Sequence, residues 1–262
     1  MPVATDPATL KDRVALVTGG GTGIGRSVCE QLTAVGVGTI LVNYSRSVED
    51  AETVAKHVQG QGSQAAAIQA DVSDPTAVAD MFTTVERDYG RLDYLVNNAG
   101  TTELIPFPDL DAVSDETWRK LLDVNVIGTF NCSRAAAELL TATGSGAIVN
   151  VGSIAAMRAV GSSIPYGVSK AGVLQLTRGL AMALAPEVRV NSVSAGTVRT
   201  RWHNNLVGEE EFAKRSEKEA QDVPLARIAT PDDIAEAIVF LLLAGFVTGQ
   251  DLLVDGGKGL RY

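Results

Sequence analysis

The 262-residue sequence predicts an α/β fold, a doubly wound parallel sheet of about seven strands with helices on both faces. Three observations carry that expectation. Short apolar, strand-like runs alternate with helix-like segments along the chain, which calls for crossover connections and parallel strands. A glycine cluster, TGGGTGIG, follows the first such run directly and opens a helical pattern. Glycine and proline are otherwise dispersed, with no linker, low-complexity tract or repeat, so one domain over 1–262 is expected, a length that doubly wound sheets reach undivided.

Strands are expected at Val14 to Thr18, Thr39 to Asn43, Ala65 to Gln69, Tyr94 to Asn97, Ala147 to Val151, Arg189 to Val193 and Asp251 to Val254. After the first, Thr18 and Gly19 begin a tight turn, and Gly23, Ile24 and Gly25 open the helix containing RSVCEQLTAVG. Glycines suit a turn whose backbone must approach a diphosphate, and a helix N-terminus supplies free N–H groups and a dipole for the anion. The spacing is T-G-x-x-x-G-x-G, and Gly19, Gly21, Thr22, Gly23 and Ile24 become candidate contacts. Glu49 and Asp50 fall in the helix after the second strand, and Asp71 either binds a ligand or caps the helix begun by Asp74 and Pro75. Thr129 to Leu140 and Tyr166 to Leu184 read as long helices. A last helix is signalled by Thr230 as cap, Pro231 in its first turn, and Asp232 and Asp233 complementing the dipole.

The chemistry-bearing pattern is YGVSK. Tyr166 and Lys170 stand at i and i+4, on one helix face, where the ammonium is expected to lower the phenol's pKa and make it a usable general acid or base. Ser153, upstream, is placed to hydrogen-bond a substrate oxygen while Tyr166 exchanges a proton with it.

TGGGTGIG, Asp71 with Val72, NNAG from Asn97 to Gly100, Asn125 in LDVNVIGTF, Ser153, Tyr166 with Lys170, and TGQDLLVDGG from Thr248 stand in the order and spacing of one family. From about Asp12 to Gly257 the chain resembles a short-chain dehydrogenase/reductase. The resemblance implies a Rossmann-like sheet with its ligand crevice at the carboxyl ends of the strands. It also implies carbonyl reduction or alcohol oxidation: Tyr166 protonates the carbonyl oxygen as hydride arrives from a nicotinamide. Lys170 holds the nicotinamide ribose, Ser153 polarises the carbonyl, and Asn125 anchors a water that links Lys170 to solvent. Asp71 and Val72 are then expected at the adenine, and Asn98, Ala99 and Gly100 beneath the adenosine ribose.

An acidic residue at the end of the second strand normally receives the ribose hydroxyls of NAD. Tyr44, Ser45 and Arg46 supply no carboxylate there, and Arg46 can pair with a 2′-phosphate while Ser45 donates a hydrogen bond, so NADP(H) is expected in preference to NAD(H). After the sixth strand the chain departs from the family's usual Pro-Gly, with Ala195 before Gly196. Gly196, Val198 and Thr200 remain candidate contacts to nicotinamide and diphosphate. A variable lid is expected at about 198–225. In it Trp202 and Leu206 either cover an apolar substrate or pack on the core, and the charged run Glu209 to Glu219 reads as a solvated helix face.

A formal charge of −9 disfavours nucleic acid and anionic membrane as partners. The N-terminal MPVATDPATL lacks a basic segment followed by an apolar one, and the longest apolar run, Ile238 to Val247, is too short to span a bilayer, so a cytosolic protein is expected. Cys29 and Cys132 lie in apolar helical patterns and read as buried reduced thiols. His57 and His203 are isolated, and no metal site is expected. Three functions stay open: reduction of a free ketone, aldehyde or polyketide-like carbonyl, reduction of a 3-oxoacyl group on an acyl carrier protein, and NADPH sensing without catalysis. The carrier-linked role is disfavoured by acidity and by Met182, where such enzymes often carry arginine. The small and apolar residues Ala135, Ala136, Ala137, Leu174, Leu176, Leu180 and Ala181 serve either the chain's own core or a four-helix interface, which the resemblance extends to a homotetramer, with a dimer as the lesser assembly.

Overall fold

The computed structural model describes residues 10–261. The segment 1–9, Tyr262 and the side chain of His203 lie outside the described residues, and with them most of the N-terminal stretch discussed above. The seven expected strands form one parallel sheet in the order β3-β2-β1-β4-β5-β6-β7. They are β1 Val14–Val17, β2 Thr39–Tyr44, β3 Gln64–Gln69, β4 Tyr94–Asn97, β5 Gly146–Ser153, β6 Val188–Ala195 and β7 Asp251–Val254. Strand order reverses between β1 and β4, and a ligand crevice is expected outside the strand ends at such a switch point. β5 and β6 each run two residues past their apolar cores, pairing Ser153 with Ala195. Backbone pairing continues where apolar character has stopped, which carries Ser153 to the rim of the crevice as the last residue of β5.

Both faces of the sheet are covered, as near-continuous apolar strands require. On one face Ala15, Val17, Ile40, Val42 and Val149 pack with Val28, Cys29 and Leu32 of α1 (Gly23–Ala34), Val54 and Val58 of α2 (Val48–Gly60), and Ile234 and Ile238 near the C-terminus. On the other, Val14, Leu16, Leu41, Leu95 and Ile148 meet Met81, Phe82 and Val85 of α3 (Pro75–Tyr89) and a further pair of helices. Both cysteines are buried free thiols, and burial pushes their pKa values up, so neither is a nucleophile.

Asp74 caps α3, accepting from the backbone N–H groups of Thr76 and Ala77, so Asp71 is free of that duty. A helix absent from the sequence reading, α4 (Asp115–Leu122), passes through one π turn, Asp123–Ile127, directly into α5 (Gly128–Ala142). Ser163 caps α6 (Ile164–Leu184), with Pro165 in the first turn. The lid region forms α7 (Arg201–Val207) and α8 (Glu209–Asp222), and the charged run lies on α8 with only Phe212 and Ser216 buried. In α9 (Pro231–Leu243) the Thr230 and Asp233 side chains form a reciprocal capping box, as the sequence signals.

Candidate active site

The glycine turn is built by β1 and α1. Gly19 and Gly23 hold φ of +60° and +53°, a region open to glycine, and a Cβ on Gly25 would lie 2.4 Å from the Gly19 carbonyl oxygen and 2.6 Å from Asn98 Nδ2. The Cα face of Gly21 meets the start of α2, where a Cβ would stand 3.0 Å from the Ala51 nitrogen. The turn is clamped by Asn43 and Thr18, whose clamping role motif reading did not assign. Asn43 Oδ1 accepts from the Gly19 N–H at 3.3 Å while its Nδ2 donates to the Ala70 carbonyl at 3.1 Å. Thr18 Oγ1 accepts from the N–H groups of Asn98 and Ala99, both at 3.0 Å. Buried polar side chains at strand ends are the signal that could have found them.

A cavity of about 740 Å³ opens at the carboxyl ends of the strands. Gly19, Thr22, Gly23, Ile24, Ser45, Arg46, Asp71, Val72, Asn98, Ala99, Gly100, Gly196, Val198 and Thr200 all line it, together with Ser153, Tyr166 and Lys170. Three expected site residues do not. Gly21 faces α2, Tyr44 packs half-buried against the core, and Asn125 is buried behind the wall. The Asp71 carboxyl is held below its ordinary range by two hydrogen bonds from Ser73, the larger cause, and by attraction to Arg46. Arg46 and Asp71 therefore lie near each other on the cavity wall.

At the other end Tyr166 sits in the first turn of α6, its N–H donating to the capping Ser163 Oγ at 3.4 Å. One turn on, Lys170 Nζ lies 5.9 Å from the Tyr166 ring centre, 6 % exposed, and donates to the Val151 carbonyl at 2.8 Å. The Ser153 hydroxyl lies near enough to the phenol to act on its titration. Electrostatics here corrects the expectation of an acidified phenol. Burial raises the Tyr166 pKa, with the Ser153 hydroxyl opposing it, and burial lowers that of Lys170 to about 8. Desolvation of the pair outweighs their mutual effect because the ammonium points to a carbonyl rather than to the phenolic oxygen.

Asn125 makes three side-chain hydrogen bonds to protein. Its Oδ1 accepts from the Thr101 N–H at 2.8 Å, and its Nδ2 donates to the Thr101 carbonyl at 3.0 Å and Ser169 Oγ at 2.9 Å. The side chain thus pins the loop after β4 to α6. Trp202 opens onto the cavity from α7, its ring edge 3.8 Å from where a Cβ on Gly100 would stand, while Lys170 Nζ is 3.8 Å from the same point. The donor set fits a dinucleotide: positive-φ glycines at a helix N-terminus for a diphosphate, a cation at one end and a proton-transfer pair at the other. Among the described residues no cluster of three or more His, Cys, Asp or Glu side chains could hold a metal ion, and no helix is long and apolar enough to cross a membrane.

Comparison with known proteins agrees with this geometry. A family model described as enoyl-(acyl carrier protein) reductase matches residues 19–258. Ketoacyl reductase 2 of the granaticin polyketide synthase from Streptomyces violaceoruber is 46% identical over 94% of this chain and 96% of the relative. A 3-oxoacyl-[acyl-carrier-protein] reductase from Synechocystis is 35% identical over 95% and 97%. Among solved structures, a gluconate 5-dehydrogenase from Burkholderia cenocepacia in complex with NADP and tartrate superposes with a TM-score of 0.85 at 32% identity, covering 95% of each chain. With a seven-stranded parallel sheet, a glycine turn at its switch point and the Ser-Tyr-Lys grouping at the crevice, this chain belongs to the short-chain dehydrogenase/reductase family, nicotinamide-dependent oxidoreductases of carbonyl and alcohol groups.

Proposed function

We propose that the chain is an NADP(H)-preferring reductase of a free ketone, aldehyde or polyketide-like carbonyl. The observation that carries this reading is the convergence of Ser153, Tyr166 and Lys170 on one wall of a cavity whose far end is lined by Ser45 and Arg46. A nicotinamide bound there supplies or accepts the hydride. Ser153 and Tyr166 direct hydroxyls at the carbonyl oxygen, and burial keeps the phenol protonated at neutral pH, which suits donation to an oxygen gaining negative charge. Lys170, charged below about pH 8, balances the phenolate left behind. In the reverse direction Tyr166 must first lose its proton, so alcohol oxidation should rise with pH where reduction does not.

NADP(H) preference is supported by the absence of a carboxylate after β2 and by Ser45 and Arg46 on the cavity wall. The solved relative with bound NADP points the same way. Absorbance at the reduced-nicotinamide band, followed with NADPH and NADH against ketones, aldehydes, quinones and acyl thioesters in both directions, tests the whole reading. Affinity favouring NADH by about tenfold, a difference of about 1.4 kcal/mol, would refute the cofactor assignment. Cofactor binding with no turnover on any carbonyl would favour a sensing role instead.

A second reading, reduction of a carrier-bound 3-oxoacyl group, is supported by the names of several relatives. Met182, 85% exposed on α6, presents an apolar tip where an acidic carrier would want a cation. Equal rates on a carrier thioester and on its free thioester analogue would place the carrier outside the recognition. For assembly, Ala136, Leu174, Leu180 and Ala181 are consumed by the chain's own core, while Ile127, Phe130 and Val168 leave apolar surface outward. We infer a tetramer through these faces, which light scattering would test.

A further inference from the structure

Arg201, the first residue of α7, and Asp50, in the first turn of α2, are 151 residues apart in sequence yet share a two-pronged ion pair. One guanidinium nitrogen stands 2.7 Å from Asp50 Oδ2, the other 3.4 Å from Oδ1. Their elements press on the glycine turn from two sides. A Cβ on Gly21 would meet the Ala51 nitrogen at 3.0 Å and the Asp50 carbonyl carbon at 3.3 Å, and one on Gly23 would meet Thr200 Cγ2 at 3.4 Å. The pair therefore spans the turn, and Arg201 also lines the cavity. With side chains 55% and 35% exposed, such a pair holds weakly. A diphosphate at the turn offers more negative charge to the same planar fork.

We propose that Arg201 is a diphosphate-binding residue held in reserve by Asp50, exchanging the carboxylate for phosphate oxygens when a dinucleotide enters. The inference rests on the reading of this cavity as a dinucleotide site. The exchange keeps α7, and with it Trp202, over the occupied cavity. It also makes Asp50 a competitor of the ligand rather than a support for it.

The opposite signs this implies for the two partners are the test. NADPH titrations, read by calorimetry, are run on the wild type, Asp50→Asn, Arg201→Ala and the double variant, with thermal midpoints checking that all four fold alike. Freeing Arg201 by Asp50→Asn should tighten NADPH about two- to fivefold, the scale of a lost surface pair. Arg201→Ala should weaken it about fivefold or more, the scale of a lost charge-assisted hydrogen bond. In the Arg201→Ala background Asp50→Asn should change nothing. Two single variants that move together, or equal tightening by Asp50→Asn with and without Arg201, would overturn the proposal, the latter because Asp50 then acts as a bare charge. A wild type that binds neither NADPH nor NADH would overturn the dinucleotide reading itself, and this proposal with it.

Discussion

Lys170 carries an ammonium buried in the wall of the crevice, and the consequence of that burial can be measured. Its Nζ donates to the Val151 carbonyl at 2.8 Å, and desolvation sets its pKa at about 8 instead of the ordinary 10.5. Between those values the unfolded chain binds more protons than the folded one, so stability contributed at this site rises with pH. The destabilisation is fully present below about pH 8 and gone above about 10.5. At about 1.4 kcal/mol per pH unit the difference amounts to roughly 3 kcal/mol. Lys170→Met keeps much of the side-chain volume and removes the titration, while every other titrating group is common to both proteins. Urea unfolding of wild type and variant at pH 7, 8, 9 and 10 isolates the term. Wild type should gain on the variant by roughly 2 to 3 kcal/mol from pH 8 to 10. A stability difference constant over that range would show that the ammonium keeps its ordinary pKa despite its burial.

Tyr166→Phe should lower turnover by about two orders of magnitude or more, the scale of a lost general acid, with NADPH affinity nearly unchanged by titration. Gly25→Ala places a Cβ 2.4 Å from the Gly19 carbonyl oxygen, so it should displace the glycine turn and weaken NADPH binding by at least about tenfold, or 1.4 kcal/mol. Unaltered affinity would mean that the turn relaxes freely. Asn125→Ala strips a partner from the Thr101 N–H, the Thr101 carbonyl and Ser169 Oγ, and should destabilise the fold by about 2 to 4 kcal/mol in urea unfolding. Its turnover should fall with it, because the loop after β4 and α6 lose their common tie.

The strands were legible because parallel sheets buried on both faces demand apolar runs, and VALV, TILV and YLVN meet that demand with polar residues only at an end. Legibility ended where backbone pairing outlasts apolar side chains, as at Gly152 and Ser153. It also ended where helix passes through irregular geometry, as in the π turn at Asp123–Ile127, since a five-residue bulge leaves no periodic mark. The closeness of Tyr166 and Lys170 was readable from their spacing, because i and i+4 on a helix share a face, whereas their pairing with Ser153 rested on the resemblance. The direction of the Tyr166 pKa was not readable, because it depends on how much water each group loses and on where the ammonium points. For the same reason Gly21 and Gly25 look alike in the motif, while one is constrained by α2 and the other by Gly19 and Asn98.

The anion cradle and the proton-transfer pair belong to different segments, and function requires them to keep a fixed separation. The connection is a run of polar contacts, most of them part-buried, rather than apolar packing. Asn98 Nδ2 donates to the carbonyls of Thr18 and Gly19 at 2.9 and 3.0 Å, tying the loop after β4 to the glycine turn. Three residues later Thr101 is held at both backbone groups by Asn125, whose Nδ2 reaches Ser169. Ser169 Oγ in turn donates to the Tyr166 carbonyl at 2.8 Å, and Lys170 is the next residue on the helix. Glycine turn, loop, π turn and α6 thus form one hydrogen-bonded chain, and the π turn is what carries Asn125 into it. Apolar contacts tolerate small slides between elements, whereas directional bonds to both backbone groups of one loop residue do not. The separation of glycine turn and phenol is therefore set by the four residues from Asn98 to Thr101, and a change of loop length there should disable the enzyme even if Ser153, Tyr166 and Lys170 are retained.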